Sequence, residues 1–249
     1  MDIRALAFDV NGTLVRIITD EGAEQVFRAA AHFLSYQGIE LHRYDVRELY
    51  FGHMKEQLRS SPEEYPEFDA VAIWERIIAD HMTDYTRALP HGKLEQMPRL
   101  LTEMTRGVSR KRLHLYPYVR DVLDVLRRRY PLAVVTDAQT AYARAEMHKV
   151  GLLDYFNPIV ISGDRGFRKP DRRLFQLALE GMGVAAENTI YVGNDMYRDI
   201  FGAREAGMWT VMFDSDQGTK VHPDCVPDYT ITDMRQLLDI VDQPAGPGP

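Results

Sequence analysis

The sequence predicts an α/β protein, a doubly wound parallel sheet with a smaller all-helical unit attached, and three observations predict it. From Tyr116 onward, strand-length apolar runs alternate with helices of ten or so residues, the pattern of right-handed crossovers in a parallel sheet. Polar motifs stand at the ends of those runs, where open α/β sheets keep their chemistry. Between the first such motif and the start of the alternation, residues 19–111 read almost wholly as helix.

In chain order, Ile3-Arg4-Ala5-Leu6-Ala7-Phe8 is a short apolar run of buried-strand length. Asp9 at its end is followed by Asn11-Gly12, which puts a carboxylate on a tight loop. Helical spacing of apolar residues then covers 20–37, 44–59, 68–88 and 93–106, punctuated by Gly38, Ser60-Ser61-Pro62 and Pro90-His91-Gly92. Beyond Tyr116 the expected order is helix 119–129, strand 132–136, helix 141–150, strand 158–162 and helix 171–182. Strand 189–192, helix 200–206, strand 210–213 and helix 233–241 follow. The expected units are a catalytic core from 1–15 and 113–242, a helical cap from 16–112, and a frayed Pro/Gly-rich tail from 243–249. No internal repeat is visible.

Composition narrows the function classes. At 249 residues, 45% apolar and 27% charged, the chain has the make-up of a globular protein able to bury a substantial core. A formal net charge of −7 argues against general binding to nucleic acid or anionic membrane. No signal peptide and no apolar run long enough to span a bilayer is visible, and the single cysteine, Cys225, excludes an intramolecular disulfide. A cytoplasmic protein, monomeric or homodimeric, is the expectation.

Four motifs carry chemistry. Phe8-Asp9-Val10-Asn11-Gly12-Thr13-Leu14 offers an acidic nucleophile. Val134-Val135-Thr136-Asp137 ends an apolar strand with a hydroxyl that can donate to an anion beside Asp9; equally, Thr136 can cap the next helix. In Arg168-Lys169-Pro170-Asp171, Pro170 and Asp171 are ordinary helix-start chemistry, so Lys169 is the informative residue, an ammonium able to neutralise a carboxylate and a phosphoryl group together. Most of the arginines around it read as a solvated face. In Gly193-Asn194-Asp195-Met196-Tyr197-Arg198-Asp199, carboxylates at 195 and 199 can join Asp9 in a hard oxygen site suited to Mg²⁺.

Taken in this order, the four motifs resemble those of the haloacid dehalogenase superfamily of hydrolases, whose core is Rossmann-like. The resemblance covers residues 3–15 and 113–240, and the helical stretch between them matches a cap inserted after the first motif. It implies that Asp9 is a nucleophile forming an aspartyl-phosphate, with Thr136 and Lys169 holding phosphoryl oxygens and Asp137 on the substrate side. It further implies Mg²⁺ held by Asp9, the Asn11 main-chain carbonyl, Asp195 and Asp199, and a small phosphorylated metabolite as substrate.

Two departures from the family pattern matter. Its phosphatases usually carry an acid–base Asp two places after the nucleophile, where this chain has Asn11, an amide that cannot exchange a proton at neutral pH. Many relatives also have Asp directly after the motif's Gly, where this chain has Asn194 before Asp195; the need of Mg²⁺ for anionic oxygen favours Asp195. The leading expectation is a Mg²⁺-dependent phosphatase of a small phosphomonoester. A metal-free 2-haloacid dehalogenase and a binding protein that kept the fold without turnover remain open. The cap should set specificity; its aromatics, Tyr50, Phe51 and Trp74 among them, read as cap core or interface.

Overall fold

The computed structural model describes residues 2–243; residues 244–249 of the expected tail lie outside the described residues. Six parallel strands form the main sheet: β1 (Ala5–Phe8), β4 (Leu132–Thr136), β5 (Ile159–Ile161), β6 (Thr189–Gly193), β7 (Trp209–Phe213) and β8 (Tyr229–Ile231), in the order β5-β4-β1-β6-β7-β8. Their side chains divide by the two-residue period of a strand. Leu6, Phe8, Leu132, Val134, Ile190 and Val192 join one apolar cluster, while Ala7, Ala133, Val135 and Tyr191 join the cluster on the opposite face. Both faces are covered, so β1, β4 and β6 are buried along their whole length, as parallel strands require.

Strand order reverses at β1. The chain runs from β1 out to β4 and β5, then crosses back to β6, β7 and β8 on the other side. The C-terminal ends of β4, β1 and β6 therefore open onto one crevice, and Asp9, Thr136 and Gly193 stand at those ends.

Between β1 and β4 lie helices α1 (Glu24–Tyr36), α2 (Arg43–Ser60), α3 (Ala70–His81), α4 (Asp84–Arg87) and α5 (His91–Ser109). They pack on an apolar cluster of their own, with Phe27, Leu34, Ile73, Trp74, Ile77 and Met97 fully buried. The span 68–88, expected as one helix, is two, because Thr83 and Thr86 form reciprocal capping hydrogen bonds that start α4.

An antiparallel ribbon of β2 (Val15–Thr19) and β3 (Arg110–Leu115) carries the chain into and out of these helices. Both strands fall where the sequence suggests loop and helix end, and the expected boundary at 113 falls inside β3. The ribbon is short and half exposed, with arginines alternating among its apolar residues, so it lacks a strong apolar run. After β3 comes α6 (Val119–Leu126), and after β4 come α7 (Thr140–Lys149) and then α8 (Arg172–Met182), each within a residue of the expected start, while the expected helix at 200–206 begins earlier, as a π-helical turn over Met196–Phe201 running into Gly202–Glu205. Among the described residues, no helix is long and apolar enough to cross a membrane.

Candidate active site

Asp9 is fixed by the sheet before its side chain does anything. Its N–H donates to the Val192 carbonyl of β6, and the chain then turns so that the N–H groups of Leu14 and Val15 both bond the Val10 carbonyl. Gly12 makes the turn possible, since its φ is +93° and a Cβ there would overlap the Asn194 amide. Asp9 Oδ1 accepts from Lys169 Nζ at 2.8 Å, and Oδ2 accepts from the Thr13 hydroxyl at 3.0 Å. Burial pushes the Asp9 carboxyl up to about 6, outweighing the Lys169 ammonium, and the Asp199 charge adds to the rise.

Lys169 is buried with its charge fully partnered. Besides Asp9, its Nζ reaches Asp199 Oδ1 at 2.6 Å, the Val135 carbonyl at 3.3 Å and the Tyr191 hydroxyl at 3.3 Å. Burial opposes the charged form, but Asp199 and Asp9 together hold the ammonium protonated, well above its usual range. The other Asp199 oxygen accepts the N–H groups of Asn194 and Asp195, each at 3.0 Å. A Cβ at Gly193 would overlap the Asp199 side chain, so the glycine permits this close approach. Both Asp199 oxygens are thus committed to orienting Lys169 and shaping the loop.

Asn194 and Asp195 point their side chains at different tasks. Asp195 caps the π-helical turn, accepting from the N–H groups of Tyr197 and Arg198, and it also takes the Thr219 N–H and the Arg198 guanidinium. Burial works against ionisation there, yet these donors hold its carboxyl down to about 2. The side chain that meets the first loop is that of Asn194, whose Oδ1 lies 3.0 Å from the Thr13 hydroxyl. Among the described residues, no three or more His, Cys, Asp or Glu side chains gather as a metal-binding group; Asp199 meets Asp9 through the Lys169 ammonium, while Asp195 turns to the donors of the following turn. Asp195 is saturated by the Tyr197, Arg198 and Thr219 donors, and Asp199 by Lys169 and the N–H groups of Asn194 and Asp195.

Thr136 is buried and its hydroxyl has no hydrogen-bond partner among the described residues. It does not cap the next helix, which starts after Gln139 without a side-chain cap. Asp137 Oδ1 accepts the Lys169 N–H at 3.0 Å, while its buried Oδ2 has no hydrogen-bond partner and lies 3.9 Å from Arg198. Burial pushes the Asp137 carboxyl up, against the pull of Lys169.

Asn11, Asp137, Asn194 and Arg198 line a cleft of about 360 Å³. Its far wall comes from the helical unit and the ribbon, including Glu21, Glu67, Phe68 and Arg106. The 61–69 segment reaches across to the core: Glu67 accepts the Ser162 hydroxyl at 2.7 Å, and Gln139 bonds both the Phe68 carbonyl and the Ala70 N–H. At the ribbon, Arg106 forms a two-point pair with Glu146 of α7 at 2.9 and 3.0 Å, and Arg110 adds a third contact at 2.9 Å.

The structure brings Asp9, Lys169 and Asp199 into direct contact and sets Asn11, Thr136 and Asp137 around the same crevice. Sequence reasoning missed Thr13, Tyr191 and Glu67. A hydroxyl directly after the Gly of the first motif was a usable signal for Thr13. Tyr191 sits inside a strand whose pattern reads only as core, and Glu67 lies in a segment with no periodicity at all.

Comparison with known proteins agrees with this architecture. The family of haloacid dehalogenase-like hydrolases matches residues 3–207. A glyceraldehyde 3-phosphate phosphatase of Methanopyrus kandleri is 30% identical over 244 residues, covering 96% of this chain and 97% of its own. A phosphoserine phosphatase of Thermus thermophilus is 32% identical over 175 residues, covering 70% of this chain and 69% of its own. Among solved structures, a 2-haloacid dehalogenase from Pseudomonas syringae pv. Tomato DC3000 shares the fold with a TM-score of 0.68 at 24% identity, over 96% of this chain and 98% of that one. With the motifs in order on one crevice and a family match over most of its length, the chain belongs to the haloacid dehalogenase-like hydrolases.

Proposed function

We propose that the protein hydrolyses a small phosphomonoester, with Asp9 attacking phosphorus in line to form an aspartyl-phosphate that water then cleaves. The observation that carries this reading is the pairing of Asp9 with a buried lysine beside a buried threonine hydroxyl that nothing among the described residues satisfies. An unmade hydrogen bond of that kind is costly, and a phosphoryl oxygen would complete it. The reading is supported by relatives named as phosphatases of glyceraldehyde 3-phosphate and of phosphoserine.

Each residue then has a task. Lys169 keeps one Asp9 oxygen oriented and offers positive charge to the phosphoryl group, and Thr136 donates to that group from the neighbouring strand end. Asp199 and Tyr191 hold Lys169 in place. Asn11 can hydrogen-bond but supplies no proton, so the leaving alcohol depends on Asp137 or Glu67, the carboxyls of the same cleft that burial pushes up.

The donor set fits Mg²⁺, which binds through one or two carboxylates and keeps several waters. Asp9 and Asn194 present oxygens to one point, the Thr13 hydroxyl, at 3.0 Å each. We assign the ion to Asp9, the Asn11 main-chain carbonyl and Asn194, with Asp195 and Asp199 shaping the loop around it rather than ligating. When bound, Mg²⁺ would neutralise phosphoryl charge during attack.

The test is a screen of phosphorylated metabolites with Mg²⁺ and with EDTA, using Asp9→Asn as the blank. Phosphate release that vanishes in the blank and in EDTA is the expected result. Full activity in EDTA would overturn the metal assignment, and full activity in Asp9→Asn would overturn the nucleophile.

A further inference from the structure

Within the helical unit lies a second recess of about 50 Å³, walled by Phe27, Tyr50, Phe51, Met54 and Trp74 and closed from the core side by Tyr142. It borders the cleft beside Asp137. Glu21, Phe68, Arg106 and Tyr142 line both this recess and the catalytic cleft, so the two meet along a shared wall.

Of the polar groups around the recess, the Tyr50 and Tyr142 hydroxyls and the Trp74 N–H make no hydrogen bond among the described residues, and Trp74 is the most deeply buried of the three. Arg106 is paired with Glu146 and Glu21, and the Thr102, Thr105 and Ser109 hydroxyls bond carbonyls of their own helix. Trp74 is fully buried, and its indole N–H has no acceptor among the described residues. A buried, unpaired donor on the wall of a small apolar recess points to a ligand that brings the acceptor.

We propose that this recess holds the distal end of the substrate, a short uncharged alkyl body carrying one hydrogen-bond acceptor for the Trp74 N–H, while the phosphoryl group sits at Asp9 and Lys169. The inference rests on the phosphomonoester reading and names its alcohol: a chain of several carbons with an ether, carbonyl or hydroxyl oxygen near its far end. A charged tail is disfavoured because the Arg106 charge at the recess is already matched by Glu146 and Glu21. The size agrees, since one water needs roughly 10–15 Å³ of such space and the recess therefore takes a group of only a few heavy atoms.

The experiment compares methyl, n-pentyl and 3-methoxypropyl phosphate as substrates, the last two differing only by an ether oxygen in place of a methylene. In parallel, 1-pentanol and 3-methoxy-1-propanol are titrated against Trp209→Phe protein, in which Trp74 is the sole remaining tryptophan, and its emission is followed. The expected kcat/KM rises from methyl to pentyl by roughly fourfold per methylene that enters the recess. Both alcohols shift Trp74 emission saturably. In Trp74→Phe, the ratio of methoxypropyl to pentyl turnover falls by roughly three- to tenfold, because only the ether loses a donor.

A kcat/KM independent of chain length, together with unshifted Trp74 emission, overturns the proposal and leaves the phosphatase reading intact. Saturable emission shifts in a protein that hydrolyses none of the three esters keep the recess as a binding site and overturn the phosphatase reading instead. An unmoved ether-to-alkyl ratio in folded Trp74→Phe removes the N–H from the proposal. Should that variant fail to fold, the emission titration still decides.

Discussion

Lys169 Nζ lies 2.8 Å from Asp9 Oδ1, joining residues 160 positions apart at the buried floor of the crevice. Asp199, 2.6 Å from the same ammonium, makes the arrangement one cation between two carboxylates. Such a cluster is stable only as a set, because removing one member of a buried pair leaves uncompensated charge.

Lys169→Met should therefore abolish activity and destabilise the fold by about 3–5 kcal/mol at pH 8. The deficit should shrink at pH 5, where one of the two abandoned carboxyls takes up a proton. Urea unfolding at both pH values checks this, and an equal deficit at each would show that lost packing, not charge, is responsible.

The raised Asp9 carboxyl has consequences for both activity and stability. With the folded group titrating at about 6 and an unfolded Asp near 3.9, folding takes up a proton between those values. Stability from this group is greatest below pH ~4 and is lost as pH rises through about 6. In EDTA, the stability of Asp9→Asn relative to wild type should rise by on the order of 2–3 kcal/mol between pH 4 and pH 8, on top of a pH-independent cost of leaving Lys169 with Asp199 alone. A parallel offset across that range would contradict the assignment. Turnover should fall below about pH 6, where the nucleophile is protonated.

Glu146 ties α7 of the core to Arg106 and Arg110, where the helical unit rejoins the sheet. Glu146→Gln keeps the shape and leaves two arginines with half their partners. A loss of about 1–3 kcal/mol is expected, or several degrees in Tm. KM should rise more than kcat falls, since the contact sets the cleft wall and touches no reacting atom. A drop in kcat with unchanged KM would place Glu146 in the chemistry instead.

Much of this architecture was legible because β1, β4, β5, β6 and β7 are short apolar runs ending in a polar residue, whereas β8, three residues long with one of them buried, gives no such signal and was missed. Leu132–Thr136 is apolar for four residues and then presents a hydroxyl, and the strand and its Thr both fall where the sequence puts them. The ribbon of β2 and β3 was not legible, since arginines and histidine interrupt it and its partner strand is some ninety residues away in sequence. The choice between Asn194 and Asp195 rested on charge alone. Charge says which side chain suits a cation, but the hydrogen bonds of the following turn decide which one is free to face it, and those are set by backbone geometry that no motif spells out.

Asn11 gives the sharpest test of the chemistry. It lines the cleft next to Asp137 and Asn194, two residues beyond Asp9, where an acid would protonate the leaving alcohol. An aryl phosphate leaves without a proton, whereas an alkyl phosphate needs one, so wild type should favour the aryl ester strongly. Asn11→Asp should narrow that gap by raising alkyl turnover, within the roughly 10²–10⁴ that general acid catalysis supplies. The change adds one carboxyl to a half-buried position near Asp9, so some stability is lost while the fold persists. Asp137→Asn separates the alternatives. If Asp137 is the proton donor in wild type, this variant loses alkyl turnover selectively, and Asn11→Asp in the same chain restores it. Measuring kcat/KM for both esters in the four proteins, with Asp9→Asn as blank, decides the matter. Unchanged or lower alkyl turnover in folded Asn11→Asp would show that position 11 is not the missing acid–base site, and a selective alkyl loss in Glu67→Gln would then assign the proton to the helical unit.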